Sequence, residues 1–252
     1  MTGLVAESLV VRYGGLVAVD DVSLAAPAGR ITGLIGPNGA GKTTIFNACS
    51  GLVRPASGRV LLDDVDITGM SLPRRAQRGL GRTFQRIELW DSLSVRDNVE
   101  LGREGLLAGS SPWRQLVARR TDAREAREAA DAALETCGLQ DLADRPAGAL
   151  STGSRRLVEL ARVLAGGGSM LLLDEPSSGL DDSESGRFAD ILRGAVVDRG
   201  LGVLLVEHHM GLVLDVCDHL YVLDFGRLLF EGTPAQTVAS DEVRAAYLGT
   251  AA

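Results

Sequence analysis

The sequence predicts an α/β fold made of a mostly parallel sheet, an antiparallel β subdomain and an inserted helical subdomain. Short, wholly apolar segments alternate with helical ones in the second half of the chain, which is typical of buried parallel strands. Longer segments of alternating polarity near the start indicate antiparallel pairing. Between these parts, alanines recur at helical spacing among charged residues, which indicates helices.

The chain of 252 residues suits one large domain. We divide it into an α/β core at residues 1–84 and 158–252 and a helical subdomain at residues 85–157. In the first part of the core, the sequence pattern predicts strands at 4–11, 16–24, 30–35 and 58–62 and a helix at 43–49.

The helical subdomain is predicted to contain helices at 94–101 and 123–137, with a loop at 105–112 where glycine and serine are frequent. The rest of the core then follows as an alternation of helices and strands. In chain order we expect helix 157–164, strand 170–173, helix 188–197, strand 203–206, helix 210–216, strands 220–223 and 227–230, and a short helix 243–248.

A glycine-rich loop follows the predicted strand 30–35 and contains the only lysine of the chain, Lys42, whereas the other basic residues are arginines. The loop consists of Gly36, Pro37, Asn38, Gly39, Ala40, Gly41, Lys42 and Thr43, which fits the phosphate-binding pattern G-x-x-x-x-G-K-S/T. Backbone N–H groups of such a loop turn toward phosphate oxygens, and a slim ammonium fits this cradle better than a planar guanidinium. The strand–loop–helix context favours a phosphate site over a chance match in a chain with 31 glycines.

Two adjacent carboxylates end the apolar strand predicted at 170–173. Asp174 at this place can hold Mg²⁺ together with the hydroxyl of Thr43 and phosphate oxygens, because Mg²⁺ prefers oxygen ligands and keeps several waters. Glu175 would then polarise an attacking water as the general base. An acidic pair at a strand end is common by itself, so the upstream phosphate loop is what favours the catalytic interpretation.

Ser151 precedes a predicted helix and suits its N-cap position, because its hydroxyl can accept a hydrogen bond from a free backbone N–H. Ser151 and Gly153 at a helix start would also form an anion site. Taken alone, the two residues are explained better by a plain capped helix.

The bulk composition restricts the partners of the chain. A net charge of −7, from 26 basic and 33 acidic residues, argues against nucleic acid. Cys49, Cys137 and Cys217 are widely spaced and form no CxxC pair, which predicts reduced structural thiols. No stretch approaches the roughly 20 apolar residues of a membrane helix, so we expect a soluble chain, which does not exclude docking onto a membrane protein.

With these motifs in place, the chain resembles the ATP-binding-cassette (ABC) ATPases over nearly its whole length. The resemblance adds a Q-loop at 83–85, a signature at 150–154, a D-loop at 178–181 and a switch histidine, His208. It implies a P-loop NTPase (RecA-like) core with an antiparallel β subdomain and a helical subdomain. It also implies a head-to-tail dimer that holds two ATP molecules with Mg²⁺ between its subunits.

The resemblance implies a role for each matching residue. ATP contacts are implied for Tyr13, Gly36, Pro37, Asn38, Gly39, Ala40, Gly41, Lys42, Thr43, Thr44, Ser151, Gly153 and Asp181. Metal contacts are implied for Thr43, Gln85 and Asp174, and catalytic roles for Glu175, His208, Lys42 and Gln85. In the family pattern, Tyr13 stacks on adenine, His208 bonds the γ-phosphate and Asp181 links the two active sites across the dimer.

The signature departs from the usual family form at Thr152 and Ser154, where glycine and glutamine are common. Ser151 and Gly153, the groups expected to meet the γ-phosphate, are present. We therefore expect slower or more tightly regulated hydrolysis and not a dead enzyme.

Within the family, the chain is most similar to the larger of the two ATPase subunits of bacterial importers of branched-chain amino acids. The similar segments are 36–47, 82–86, 179–180, 206–210 and 244–249. Urea and amide importers use near-identical ATPases. This similarity implies a second ATPase subunit, two membrane permeases and, indirectly, a solute-binding protein as partners. It also implies a location on the cytoplasmic face of the cell membrane.

Three alternatives remain open at this stage. The ATPase of lipopolysaccharide export shares a similar chain ending. A non-transport ABC ATPase acting on ribosomes or DNA usually carries two cassettes or a long coiled-coil insertion, which this chain does not show. A P-loop kinase or GTPase would leave the signature and His208 unexplained.

The permeases are expected to dock beside residues 84–91, where Gln85 connects the metal site to the helical subdomain. Ile87, Leu89 and Trp90 in this segment are strongly apolar, which favours a covered surface. Burial in the core of the subdomain itself is the alternative explanation.

Overall fold

The structure, a computed structural model, describes residues 2–109 and 120–248. Its strands are β1 (Gly3–Tyr13), β2 (Leu16–Pro27), β3 (Ile31–Ile35), β4 (Ser57–Leu62), β5 (Val65–Asp66), β6 (Leu80–Arg82), β7 (Met170–Asp174), β8 (Gly202–Val206), β9 (His219–Asp224) and β10 (Arg227–Gly232). Its helices are α1 (Lys42–Ser50), α2 (Leu72–Gln77), α3 (Val95–Gly109), α4 (Arg120–Thr136), α5 (Thr152–Ala165), α6 (Asp182–Arg199), α7 (Met210–Val216), α8 (Pro234–Ala239) and α9 (Asp241–Val243).

The central sheet has six strands in the order β10-β9-β3-β8-β7-β6. The five strands from β9 to β6 pair in parallel, and β10 closes one edge as an antiparallel hairpin with β9. The central strands β3, β7 and β8 are buried along their whole length, which explains why their sequences are apolar without alternation. The predicted parallel sheet is therefore confirmed.

A second sheet has the order β2-β1-β4-β5 and is antiparallel throughout, as the alternation near the start predicted. It packs on one face of the central sheet, and most of the helices pack on the other. Successive residues of β7 show this layering, because Leu171 and Leu173 enter the core on the helical side whereas Met170 and Leu172 enter the core beside α1 and the antiparallel sheet.

The helical region consists of α3, α4 and the first part of α5, which pack against one another. Ala126, Ala130 and Ala133 of α4 are fully buried, so the alanine spacing predicted the correct face. The predicted loop at 105–112 was wrong over its first part, because α3 continues to Gly109; residues 110–112 lie outside the described residues. Gly105 costs a helix only about 1 kcal/mol, and the leucines and alanine that follow it favour helix.

Several short elements carry no pattern that sequence alone could reveal. Strand β6 has three residues and is held by pairing with β7, and α2 and α8 have six residues each. The predicted final helix at 243–248 corresponds to α9 and a wider π turn at Arg244–Leu248. The division of core and subdomain at 157/158 falls within the continuous helix α5, and we retain it as a proposal.

The three cysteines are buried free thiols, as predicted from their spacing. Burial raises the pKa of Cys49, Cys137 and Cys217 to about 12 in each case, so they stay protonated at neutral pH. Within the described ranges, none of the helices has both the length and the apolar character to span a bilayer.

Arg75 of α2 is one of the largest fully buried side chains, and it closes the end of the helix that follows the phosphate loop. Its Nη1 donates to the carbonyl oxygens of Ala48 at 2.8 Å and Cys49 at 2.7 Å. The remaining guanidinium N–H groups reach the carbonyls of Met70 and Thr68. The last carbonyls of a helix have no partner within it and attract cations, so Arg75 satisfies the end of α1 and fixes its position.

We predict that Arg75→Met lowers the free energy of unfolding by about 3 kcal/mol or more, because several buried carbonyls lose charged hydrogen-bond donors. Urea unfolding followed by circular dichroism measures this change. Arg74→Met is the matched control, since Arg74 lies in the same helix but is exposed. Equal midpoints for the two variants would contradict the capping role of Arg75.

Candidate functional site

The glycine-rich loop runs from the end of β3 to the start of α1 and cannot accommodate larger residues at two positions. Gly36 has a φ of 148°, and a β-carbon there would lie 2.3 Å from the carbonyl oxygen of Leu223. Gly41 has a φ of 98°, and a β-carbon there would lie 2.8 Å from the carbonyl oxygen of Ala18. Only glycine therefore fits these two positions of a tight turn, whose N–H groups and following helix N-terminus can receive an anion.

Lys42 folds back over this loop. Its Nζ donates to the carbonyl oxygens of Gly36 at 2.6 Å and Pro37 at 2.9 Å, and its side chain is largely buried. Burial lowers the pKa of Lys42, whereas the nearby carboxylates of Glu175 and Asp174 act in the opposite direction. The only lysine of the chain thus lies between the loop and the two strand-end carboxylates.

A cavity of about 330 Å³ opens above the loop, a size suited to a small-molecule ligand. Its lining consists of Leu16, Val17, Ala18, Asn38, Gly39, Ala40, Gly41, Lys42, Thr43, Thr44, Glu175, Phe225 and Gly226. The structure therefore gathers most of the predicted phosphate-binding residues around one space, with Glu175 across from them. Phe225 was not among the sequence-predicted residues.

Glu175 follows β7 with a left-handed backbone, at a φ of 47°. Its Oε2 accepts a hydrogen bond of 2.8 Å from Nε2 of Gln85. Nδ1 of His208 lies 3.7 Å from its Oε1, which is beyond hydrogen-bond distance. Three residues predicted from separate motifs are thus neighbours, and they come from the loops after β6, β7 and β8.

Asp174 lies at the end of β7 and is almost completely buried. Burial raises the pKa of its carboxyl, and the negative charges of Glu175 and Glu207 raise this pKa further. The guanidinium of Arg82, whose Nη2 lies 3.9 Å from Oδ2 of Asp174, acts in the opposite direction. Arg82 lies over the rings of both Phe46 and Phe84 and donates to Asn47 Oδ1, which fixes it beside Asp174. Sequence reasoning assigned no role to Arg82.

The donors available for a metal are all oxygens. No cluster of three histidine, cysteine, aspartate or glutamate residues that could hold a metal occurs in the described part of the chain. The hydroxyl of Thr43, the carboxylate of Asp174 and the amide oxygen of Gln85 suit Mg²⁺, which completes its shell with phosphate oxygens and water. The donor chemistry therefore fits Mg²⁺ bound together with a nucleotide.

Glu207 connects two of the functional loops through hydrogen bonds, a role that the sequence did not predict. Its side chain is fully buried, and its Oε1 accepts hydrogen bonds from the backbone N–H of Ser177 at 2.9 Å and from its hydroxyl at 2.6 Å. Its Oε2 accepts from the backbone N–H groups of His208 at 3.0 Å and His209 at 3.3 Å. A glutamate at the end of an apolar strand was the available signal, but its partners could not be read from the sequence.

Arg156 of α5 connects the signature helix to two loops of the site, and it too was missed. Its Nη2 donates to the carbonyl oxygen of Gln85 at 2.9 Å, and its Nε lies 3.4 Å from the carbonyl oxygen of Ser178. The guanidinium pairs with Glu159 at 3.0 Å, and Glu159 in turn accepts from the backbone N–H of Glu88. This buried pair holds the segment after β6 and the segment after β7 against the same helix.

Ser151 is the N-cap of α5 and accepts from the backbone N–H of Ser154 at 3.3 Å, so its predicted capping role is confirmed. Gly153 allows a close approach, since a β-carbon there would lie 2.2 Å from Oε1 of Glu184. Glu184 and Asp181 form a capping box at the start of α6. Ser151, Gly153 and Asp181 therefore lie together, outside the lining of the cavity in the same chain.

Tyr13 is the last residue of β1 and pairs with Leu16 at the start of β2. It is half-exposed, and the described lining of the cavity reaches Leu16 without including Tyr13. Its stacking on adenine stays a prediction.

Comparison with known proteins identifies the family to which this geometry corresponds. A family model described as ABC transporter matches residues 19–178, which is more than half of the chain. The chain belongs to this family. It has the ABC ATPase fold and is an ABC-type ATPase, because the phosphate loop, the strand-end carboxylates and the matched region coincide.

Relatives match over nearly the whole chain. A probable ABC transporter ATP-binding protein of Azorhizobium caulinodans is 40% identical over 98% of this chain and 83% of the relative. BraF, a high-affinity branched-chain amino acid transport ATP-binding protein of Pseudomonas aeruginosa, is 36% identical over 97% of both chains. LptB, a lipopolysaccharide export system ATP-binding protein of Haemophilus influenzae, is 36% identical over 99% of this chain and 98% of the relative.

Solved structures agree with the fold. A nucleotide-free ATP-binding cassette from an ABC transporter superposes with a TM-score of 0.83 at 31% identity, covering 98% of this chain and 99% of that one. The ADP conformation of the cassette MJ1267 superposes with a TM-score of 0.85 at 30% identity, covering 99% of each.

We predict that Glu175→Gln slows ATP hydrolysis at least about 100-fold, because glutamine keeps the hydrogen bond with Gln85 but cannot accept a proton. Phosphate release measures turnover, and calorimetry measures ATP affinity, which we expect to be retained. Glu88→Gln is the control, since Glu88 is exposed and outside the cavity. Near-normal turnover of Glu175→Gln would remove Glu175 as the base.

Proposed function

We propose that this ATPase is the energy-converting subunit of a bacterial importer of branched-chain amino acids or related small solutes such as urea and amides. The match to BraF over 97% of both chains supports this proposal, but the match to LptB is equally good, so a sequence segment carries the choice of an importer. The sequence around β6, Arg82-Thr83-Phe84-Gln85-Arg86, supports the same branch. The chain would act at the cytoplasmic face of the cell membrane, through permeases that carry the solute path.

In the proposed site, ATP lies in the cavity with its phosphates on the loop residues Gly36 to Thr44. Lys42 would neutralise phosphate charge, and Thr43, Asp174 and Gln85 would hold Mg²⁺ and its waters. The metal would screen the phosphate oxygens and orient the γ-phosphate. Glu175 accepts the proton of the attacking water, and His208, beside Glu175, would donate to the γ-phosphate.

A head-to-tail dimer would complete the site. Ser151, Gly153 and Asp181 lie together but outside the cavity of their own chain. In a head-to-tail pair, the N-terminus of α5 would face the phosphate loop of the second ATPase subunit and supply N–H groups to its nucleotide. The second subunit is either another copy or a related ATPase.

The permeases are proposed to dock in a groove between the core and the helical subdomain. The groove has a volume of about 370 Å³, and its lining includes Phe84, Glu88, Trp90, Leu101 and Arg162. Trp90 is 63% exposed and is available to a partner, whereas Leu89 packs against the core of the chain itself. An exposed tryptophan at such a groove suits a partner helix with apolar residues.

Lipopolysaccharide export is the second candidate, because LptB matches at the same identity as BraF. The groove would then receive the membrane subunits of an exporter. The chemistry of the ATP site would be the same in both cases.

Uptake of radiolabelled leucine and urea by cells with and without the gene tests the proposal. We expect loss of uptake of one such solute on deletion, recovery with the wild-type gene and no recovery with Glu175→Gln. Unchanged uptake together with envelope defects in the deletion strain would contradict import and support lipopolysaccharide export.

We predict that Trp90→Glu breaks assembly with the permeases while the isolated subunit keeps its ATPase activity. The change puts a charge on an exposed apolar contact, which costs several kcal/mol if the residue is covered. Co-purification and ATPase assays measure the two properties. Asp91→Lys is a poorer probe, because Asp91 pairs with Arg155 at 2.7 Å within the subunit and its loss would disturb the subunit itself. Normal assembly of Trp90→Glu with the permeases would place the docking surface elsewhere.

A further inference from the structure

Two bulky residues with left-handed backbones both line the nucleotide cavity. In residues 2–109 and 120–248, six non-glycine residues have a positive φ. Four of them are Ser8, Asp21, Asp63 and Asp64. Short polar side chains such as aspartate tolerate this conformation. The other two are Glu175 and Phe225, with φ values of 47° and 42°, and strain of this kind concentrates at functional sites.

The turn that contains Phe225 does not itself call for an aromatic residue. Phe225 and Gly226 form the two-residue loop of the β9–β10 hairpin, between the paired residues Asp224 and Arg227. Both loop residues have a positive φ, as in a type I′ turn, which favours asparagine or aspartate followed by glycine. Core packing does not explain the ring either, because Phe225 is 90% exposed.

The turn is fixed to the phosphate loop. The backbone N–H of Gly226 donates to the carbonyl oxygen of Ala40 at 3.0 Å, and its carbonyl accepts from the backbone N–H of Asp20 at 2.8 Å. Phe225 is therefore held at the cavity together with Leu16 and Val17 of β2. This part of the lining is apolar, in contrast to the end with Lys42, and it suits the sugar and base of a nucleotide.

We propose that Phe225 packs against the nucleoside part of bound ATP and contributes to its affinity. This inference rests on the binding of ATP in the cavity above the phosphate loop. The aromatic ring would cover an apolar face of the base or ribose, and the phosphates would stay with the loop. Stacking of an aromatic side chain on a base is strong enough to change affinity at least about fivefold.

Phe225→Asn tests the proposal, because asparagine suits the turn but cannot stack. We expect ADP to bind at least about fivefold more weakly by calorimetry, while pyrophosphate, used as a competitor, binds as in the wild type. The thermal midpoint should rise by about 2 to 4 °C, since the strained residue is replaced by one that the turn prefers. Phe225→Trp should retain ADP affinity. ADP is used because it lacks the γ-phosphate that would promote pairing of subunits.

Val197→Ala is the matched control, because Val197 is 79% exposed on α6 and does not line the cavity; its ADP affinity should be unchanged. Unchanged ADP affinity in Phe225→Asn would overturn the inference, and so would an equal loss for ADP and pyrophosphate, which would indicate a distorted loop. Lys42→Ala should lose binding of both ligands. If Lys42→Ala bound both ligands as the wild type does, the assignment of the cavity to ATP would be overturned. If Lys42→Ala lost binding while Phe225→Asn kept wild-type ADP affinity, only the role of Phe225 would be overturned.

Discussion

Parallel pairing of β3, β8 and β7 is the constraint on which the site depends. Strands that run in the same direction end at the same edge of a sheet, so the phosphate loop after β3, Glu175 after β7 and His208 after β8 become neighbours. Strand β6 adds Gln85 at this edge through its pairing with β7. Residues separated by 130 or more positions thus share one cavity because of backbone hydrogen bonds made elsewhere in the sheet.

Buried charged groups hold these loops in place. Glu207 offers four acceptor contacts to the loops after β7 and β8, and Arg156 with Glu159 holds the loops after β6 and β7 on α5. A buried charge is costly unless it is fully paired, so such networks have few alternative arrangements. A shift of α5 would therefore move Gln85 and the Ser178 segment together, which provides a physical route from the helical subdomain to the ATP site.

The start of α5 is also packed against the D-loop and the start of α6. Gly153 leaves room only for the side chain of Glu184, and Glu184 is engaged in the capping box with Asp181. Thr152 also approaches Gly179, since a β-carbon at that glycine would lie 3.4 Å from its Cγ2. The unusual Thr152 therefore lies beside the D-loop.

The sequence by itself determined the fold class, the order of the main strands and the chemistry of the phosphate loop, because periodicity and glycine spacing are local properties. It also identified Lys42, Asp174 and Glu175, whose motifs are contiguous. Only the tertiary structure decided the contacts of Arg75, Arg82, Arg156 and Glu207 and the position of Phe225 at the cavity. Each of these depends on partners from another element, such as the helix carbonyls below Arg75 or the phosphate loop beside Phe225, and such partners are brought close by sheet pairing and packing that no local pattern records.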